Sequence, residues 1–147
     1  FVYNQFYLPQ PIFKIPFSVF ADLTLWVNYI GMAERFLKEA QLIVADKGIL
    51  KDLQNILLDG IKECMGDGER IQFMVMEAQN TPEYHVEKIH QNASRSVRSL
   101  TYEIIRVFPT LGIRAGTMDH PLNQVFRDYF TATQHHIFSP LGRRNQL

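Results

Sequence analysis

The side chains able to do chemistry are few, and two histidine placements stand out among five histidines and one cysteine. Glu87-Lys88-Ile89-His90 puts a carboxylate and an imidazole one helical turn apart, the Glu-x-x-His spacing that helical di-iron sites use twice, with two further carboxylates. Only one such pair occurs here. Glu83 and Glu87 also fall in the first turns of an expected helix, where acids favour the dipole anyway, so a solvated acidic helix start is the stronger reading and no metal site is expected. His135-His136 is the second placement. On a 100° wheel His136 falls with Tyr129 and Thr133 on an apolar side, as a core-edge imidazole, while His135 lies with Gln124, Asp128 and Thr131 on the polar side.

Nucleophiles are poorly served. No Gly-x-Ser-x-Gly elbow occurs, and Cys64 has no neighbouring histidine in sequence and sits in an apolar-spaced run as a small hydrophobe. Gly66-Asp67-Gly68 lacks both the preceding strand and the following Gly-Lys-Ser/Thr of a phosphate loop.

The elements that must position these residues follow from periodicity. From about Pro16 to Ala45, Phe20, Leu23, Val27, Ile30, Ala33, Leu37, Ala40 and Val44 recur in steps of three and four. This predicts a helix of roughly 28 residues, about 42 Å long, stopped by Asp46-Lys47-Gly48. Leu50, Leu53, Leu57, Ile61 and Cys64 form a second stripe that resumes after Gly66-Asp67-Gly68 with Ile71, Met74 or Val75, and Ala78. Two glycines cost about 2 kcal/mol in a helix interior, so a loop is expected there, giving a kinked helix or two shorter ones. Thr81-Pro82-Glu83 is a helix start with Thr81 as N-cap. The stripe Val86, Ile89, Ala93, Val97, Leu100, Ile104, Val107, Leu111 follows, with Pro109 ending the helix early. Asp119 or His120 caps a fourth helix whose apolar face reads Leu122, Phe126, Tyr129, Thr133 and Ile137.

These four amphipathic segments with short connections predict an all-α, antiparallel up-down four-helix bundle over residues 17–138. An extended N-terminal arm over 1–16 and a tail over 139–147 flank it. The 147 residues carry 46% hydrophobic and 20% charged residues and equal numbers of cations and anions, 15 each. That balance argues against nucleic-acid binding and against an amphipathic membrane surface. A lone cysteine and no visible targeting segment suit the cytoplasm, where the Asn92-Ala93-Ser94 pattern is coincidental. Eleven Phe raise the aromatic share to 12%; nine aromatics lie in the arm and first helix up to Tyr29, as surface for other domains or subunits. Phe at position 1 suggests a module cut from a longer chain.

The segment from His120-Pro121-Leu122 through Arg127-Asp128 to Thr133-Gln134-His135 resembles the end of the C-terminal helical bundle of acyl-CoA dehydrogenase-like flavoproteins. There an x-Pro-Leu, a spacer and an Arg-Asp pair precede the last core helix. Ile30-Gly31-Met32-Ala33-Glu34-Arg35 is similar to the family's Leu-Gly-x-Ala-Arg helix. In many of the dehydrogenases a Glu-Gly-Thr follows, whose Glu is the base; those positions hold His136-Ile137-Phe138 here. The Arg-x-x-Phe-Gly-x-Pro stretch has no clear match near Asp46 to Leu53. Thr133-Gln134-His135 instead matches the Ser/Thr-Gln-His of the two-component flavin monooxygenases.

The resemblance implies a flavin-dependent monooxygenase or hydroxylase with FAD or FMN. His135 would be its catalytic residue, bonding the flavin peroxide or the substrate oxygen. Thr133, Gln134 and Arg127 would lie at the cofactor, with Arg127 and Asp128 chiefly fixing the helix and a subunit contact. It further implies a homodimer or homotetramer, preceding helical and β-barrel domains, and possible pairing with a flavin reductase. The alternatives are an acyl-CoA dehydrogenase with its base elsewhere, Asp22 or Glu34 on the first helix, or a non-catalytic oligomerisation module.

Overall fold

The computed structural model describes residues 10–138. Among them are four α-helices: α1 (Phe17–Ile43), α2 (Lys51–Met76), α3 (Glu83–Val107) and α4 (Pro121–Thr133), with 3-10 turns between α1 and α2 and between α3 and α4, a short loop between α2 and α3, and no strand. They pack as a helical bundle. The first nine residues of the expected arm and the whole expected tail lie outside the described residues. Over Pro11–Lys14 the chain is not extended but forms a 3-10 turn, closed by Phe13 N–H to the Gln10 carbonyl and Ile15 N–H to that of Ile12. Ile15 thereby reaches a small core of Val19, Ile71, Val75, Val86 and Ile89.

α3 follows its sequence pattern: all eight stripe residues from Val86 to Leu111 are buried. Its start differs, because Pro82 occupies the N-cap position and no side chain caps the helix; the expected Thr81 cap is not formed. α4 starts as expected from His120, whose imidazole accepts the Leu122 N–H at 3.1 Å. Its expected apolar face does not continue to Ile137 as helix. α4 stops at Thr133, and His136–Phe138 form a 3-10 turn that folds Phe138 into the core.

α1 follows its expected stripe at Ile30, Ala33, Leu37 and Ala40, all buried, and departs from it in its first half. Its buried face is Val19, Asp22, Trp26, Tyr29, Ile30, Ala33, Phe36, Leu37 and Ala40, whereas Phe20 and Val27 are exposed, the latter by 58%. Apolar residues line two faces of this helix, and the core takes the face with the bulkier rings. α1 ends at Ile43, short of Asp46-Lys47-Gly48; there Asp46 accepts the Gly48 N–H at 2.8 Å and opens the 3-10 turn leading into α2.

α2 passes through Gly66-Asp67-Gly68 unbroken, so the expected loop is absent. Asp67 is only 3% exposed. Its carboxylate accepts from Arg70 of the same helix at 2.8 Å and from Asn92 of α3 at 2.9 Å, and this local bond and this tertiary bond together hold the turn that the glycines disfavour. Earlier in α2, Glu63 meets Arg95 at 2.7 Å, and Asp52 lies 3.7 Å from Arg106. Between α1 and α4, Phe36 packs near both Phe108 and Phe126, which are stacked with centroids 3.8 Å apart. No described helix is long and apolar enough to cross a membrane.

Candidate functional site

Thr133, Gln134 and His135 sit together where α4 ends. The last carbonyls of a helix have no partner further along it, and here a tight turn uses them: Gln134 N–H donates to Thr131 at 3.2 Å and His135 N–H to Ala132 at 3.0 Å. The His135 side chain is exposed. Thr133 Oγ1 donates to the Phe130 carbonyl at 2.7 Å, and Gln134 Nε2 lies 3.5 Å from the same oxygen. Arg127 is not gathered with them. It is exposed two turns earlier on α4, its Nη1 3.7 Å from the Met118 sulfur. The His136 side chain lies outside the described residues.

Buried side chains of α1 and α3 secure this turn. The Tyr29 hydroxyl, from α1, donates to the Ala132 carbonyl. The Tyr29 ring stands edge-on to Phe138, centroids 6.0 Å apart, and to Tyr129 at 5.6 Å. Tyr129 in turn bonds Thr101 Oγ1 at 3.1 Å and reaches the Val97 carbonyl at 3.4 Å. Burial pushes both phenols above their ordinary range, for Tyr129 by the larger amount even though its bond to Thr101 acts in the opposite direction. Phe138 also lies over the ring of His90, centroids 5.9 Å apart. His90 is held from below by Asp22, Nδ1 to Oδ1 at 3.1 Å. That contact fixes the imidazole through Nδ1 and directs Nε2 away from the carboxylate.

Glu87, the expected metal partner of His90, accepts from Gln91 instead, and no cluster of metal-ligating side chains exists among the described residues. Cys64 is buried as expected, its thiol pushed up to about 11 by burial and by the nearby Asp67. Of the two carboxylates that could serve a dehydrogenase, Asp22 has no exposed surface, and Glu34 is paired with Lys38 at 2.9 Å on the outer face of α1. A groove of about 440 Å³ runs between α1 and α4, with Gly31 and Arg35 on one wall and Gln124 and Asp128 on the other. A second, of about 670 Å³, lies between α2 and α3 with Lys62, Arg70, Lys88 and Arg95 among its walls. Neither contains Thr133, Gln134 or His135.

Sequence reasoning missed Tyr29 and the Asp22–His90 pair. The one available signal was Asp22 itself, a charge one turn from Trp26 and the only Asp, Glu, Lys or Arg between Phe17 and Ala33. No family model, curated protein or solved structure matches the chain.

Proposed function

We propose that the chain is the C-terminal helical domain of an acyl-CoA dehydrogenase-type flavoprotein of the monooxygenase branch, folded as an antiparallel up-down bundle, with His135 turned toward FAD or FMN. The observation that carries this reading is the placement of Thr133-Gln134-His135. The motif falls on the turn that ends α4, where the backbone is tied to the core while the imidazole is exposed. The alternation of helix directions is supported by the order of contacts: Asp67 with Asn92 but Asp52 with Arg106, and Tyr29 with Ala132 but Phe36 with Phe126.

A flavin presents ring carbonyls and nitrogens and a phosphate tail, and needs donors on the protein side. Arg127, Gln134 and His135 are exposed and fit as donors, Arg127 to phosphate through a charge-assisted bond. Thr133 does not fit as a donor, because its hydroxyl is committed to the Phe130 carbonyl. The bound flavin would supply the redox chemistry. His135 would hold or release a proton at the substrate oxygen, a task suited to an imidazole near neutral pH. The bundle would complete the pocket with preceding helical and β-barrel domains, work with a flavin reductase in the cytoplasm, and assemble as a dimer or tetramer. Exposed Val27, lining the groove that carries Arg35 and Asp128, and exposed Phe20 two turns before it on α1 support contact with a second copy.

The dehydrogenase alternative is weakened by the burial of Asp22 and the pairing of Glu34. The test uses the full-length protein with bound flavin. Oxygen consumption by the bound reduced flavin at a rate that differs from that of free reduced flavin and changes in His135→Ala, with no flavin bleaching by acyl-CoA under anaerobic conditions, is expected. Anaerobic bleaching by acyl-CoA would overturn the monooxygenase assignment.

A further inference from the structure

His135 lies between two residues that the core grips, three positions before it and three after. Ala132 supplies the carbonyl that accepts both the His135 N–H and the Tyr29 hydroxyl. A carbonyl oxygen has two lone pairs, so the two bonds coexist and tie the turn to α1. Phe138, on the other side, packs against the ring of the same Tyr29 and over His90. Tyr29 is buried on a core helix and has few rotatable bonds, so its grip on the turn is rigid. Asp22, fully buried, fixes the His90 ring on which Phe138 rests.

We propose that Tyr29 is the positioning residue for His135: its hydroxyl and its ring together hold the His135 turn in one conformation, with the Asp22–His90 pair as the second support. The functional meaning of this hold rests on the reading of His135 as the flavin-facing residue; the hold itself does not. Without the Tyr29 hydroxyl, the turn loses its hydrogen bond to α1, and the backbone on the His135 side of Ala132 is left to i-to-i+3 bonds of poorer geometry. The imidazole would then sample several orientations, and proton transfer requires one.

Tyr29→Phe keeps the ring against Phe138 and removes only the bond to Ala132. Tyr129→Phe is the control, because it removes a buried hydroxyl that bonds Thr101 and Val97 instead. Both variants are compared with the unsubstituted full chain by amide hydrogen exchange, by ¹⁵N relaxation over residues 133–138, and by the imidazole ¹H–¹⁵N spectrum with and without FMN or FAD. Tyr29→Phe is expected to speed exchange of the His135 amide about tenfold and to lower its backbone order parameter from about 0.85 to below about 0.6. Tyr129→Phe should leave both unchanged even at an equal loss of Tm. Equal effects in the two variants, or none in Tyr29→Phe, would overturn the positioning role. Failure of both FMN and FAD to shift the His135 imidazole in the full-length unsubstituted protein would overturn the flavin reading instead, and leaves the exchange result to decide on Tyr29.

Discussion

Asp22 and His90 are 68 residues apart in sequence and meet at 3.1 Å inside the bundle, the carboxylate without exposed surface and the imidazole partly open beneath Phe138. Removing either partner takes a hydrogen bond from the other, but the two losses differ. His90→Ala takes a hydrogen-bonding partner from a carboxylate in the core and the ring from beneath Phe138, which should cost about 2–3 kcal/mol. Asp22→Asn preserves shape and a hydrogen-bonding oxygen and should cost no more than about 2 kcal/mol. Urea denaturation of both variants checks the order, and two near-zero values would show that the pair carries no stability.

This pair marks the boundary of what the sequence could reveal. α3 was legible because one face only is apolar, so every stripe residue from Val86 to Leu111 is buried. α1 was legible from Ile30 to Ala40, where the stripe is buried, but not in its first half, where apolar residues line two faces and the buried one includes Asp22, bonded to His90 on another helix. Gly66-Asp67-Gly68 was misread for a related reason: local propensity opposes the helix, and the bonds from Asp67 to Arg70 and Asn92 outweigh it. The region of the candidate site was legible as a motif. The anchors beneath it were not, since Tyr29, His90 and Phe138 meet only after folding.

Because that glycine segment is helical, alanine should improve it. A Cβ at Gly66 or Gly68 would meet nothing within 4 Å, so Gly66→Ala and Gly68→Ala should each stabilise by about 0.5–1 kcal/mol. Asp67→Ala should destabilise by about 2–3 kcal/mol, because it frees Arg70 and Asn92. Thermal melts of the three variants would show Tm moving in opposite directions; a loss in both glycine variants would contradict a continuous helix.

Gly60 behaves differently. A Cβ there would stand 2.7 Å from Ser96 Oγ, a buried oxygen with no hydrogen-bond partner among the described residues. Gly60→Ala should therefore cost about 1–3 kcal/mol, and Ser96→Ala should be neutral or stabilising. In the double variant the alanine at 60 meets only the Cβ at 96, and the helix propensity gain of up to about 1 kcal/mol should reappear. A double-mutant cycle with strictly additive effects would sink this contact.

Alkaline stability should report the burial of Cys64. Its thiol is pushed from 9.0 to about 11 by burial and then by Asp67. Below pH 9 both folded and unfolded chains keep the proton, so nothing changes. Between 9 and 11 only the unfolded chain loses it, so stability falls as pH rises, by roughly 2–3 kcal/mol in all. Tyr29 and Tyr129 act in the same direction at higher pH. Unfolding free energies from pH 8 to 11 should therefore fall less steeply in Cys64→Ala than in the unsubstituted chain; identical slopes would contradict the buried thiol.

The flavoprotein assignment is tested most directly by flavin binding to the full-length protein, read as quenching of FMN and FAD fluorescence in the unsubstituted protein and in His135→Ala and Arg127→Ala. Both side chains are exposed on or just after α4, so neither substitution should lower Tm appreciably. The predicted result is saturable binding of one flavin per chain at micromolar Kd or tighter, weakened about tenfold in at least one variant, the equivalent of about 1.4 kcal/mol. No quenching at about 100 µM protein, or binding that both substitutions leave untouched, would contradict it.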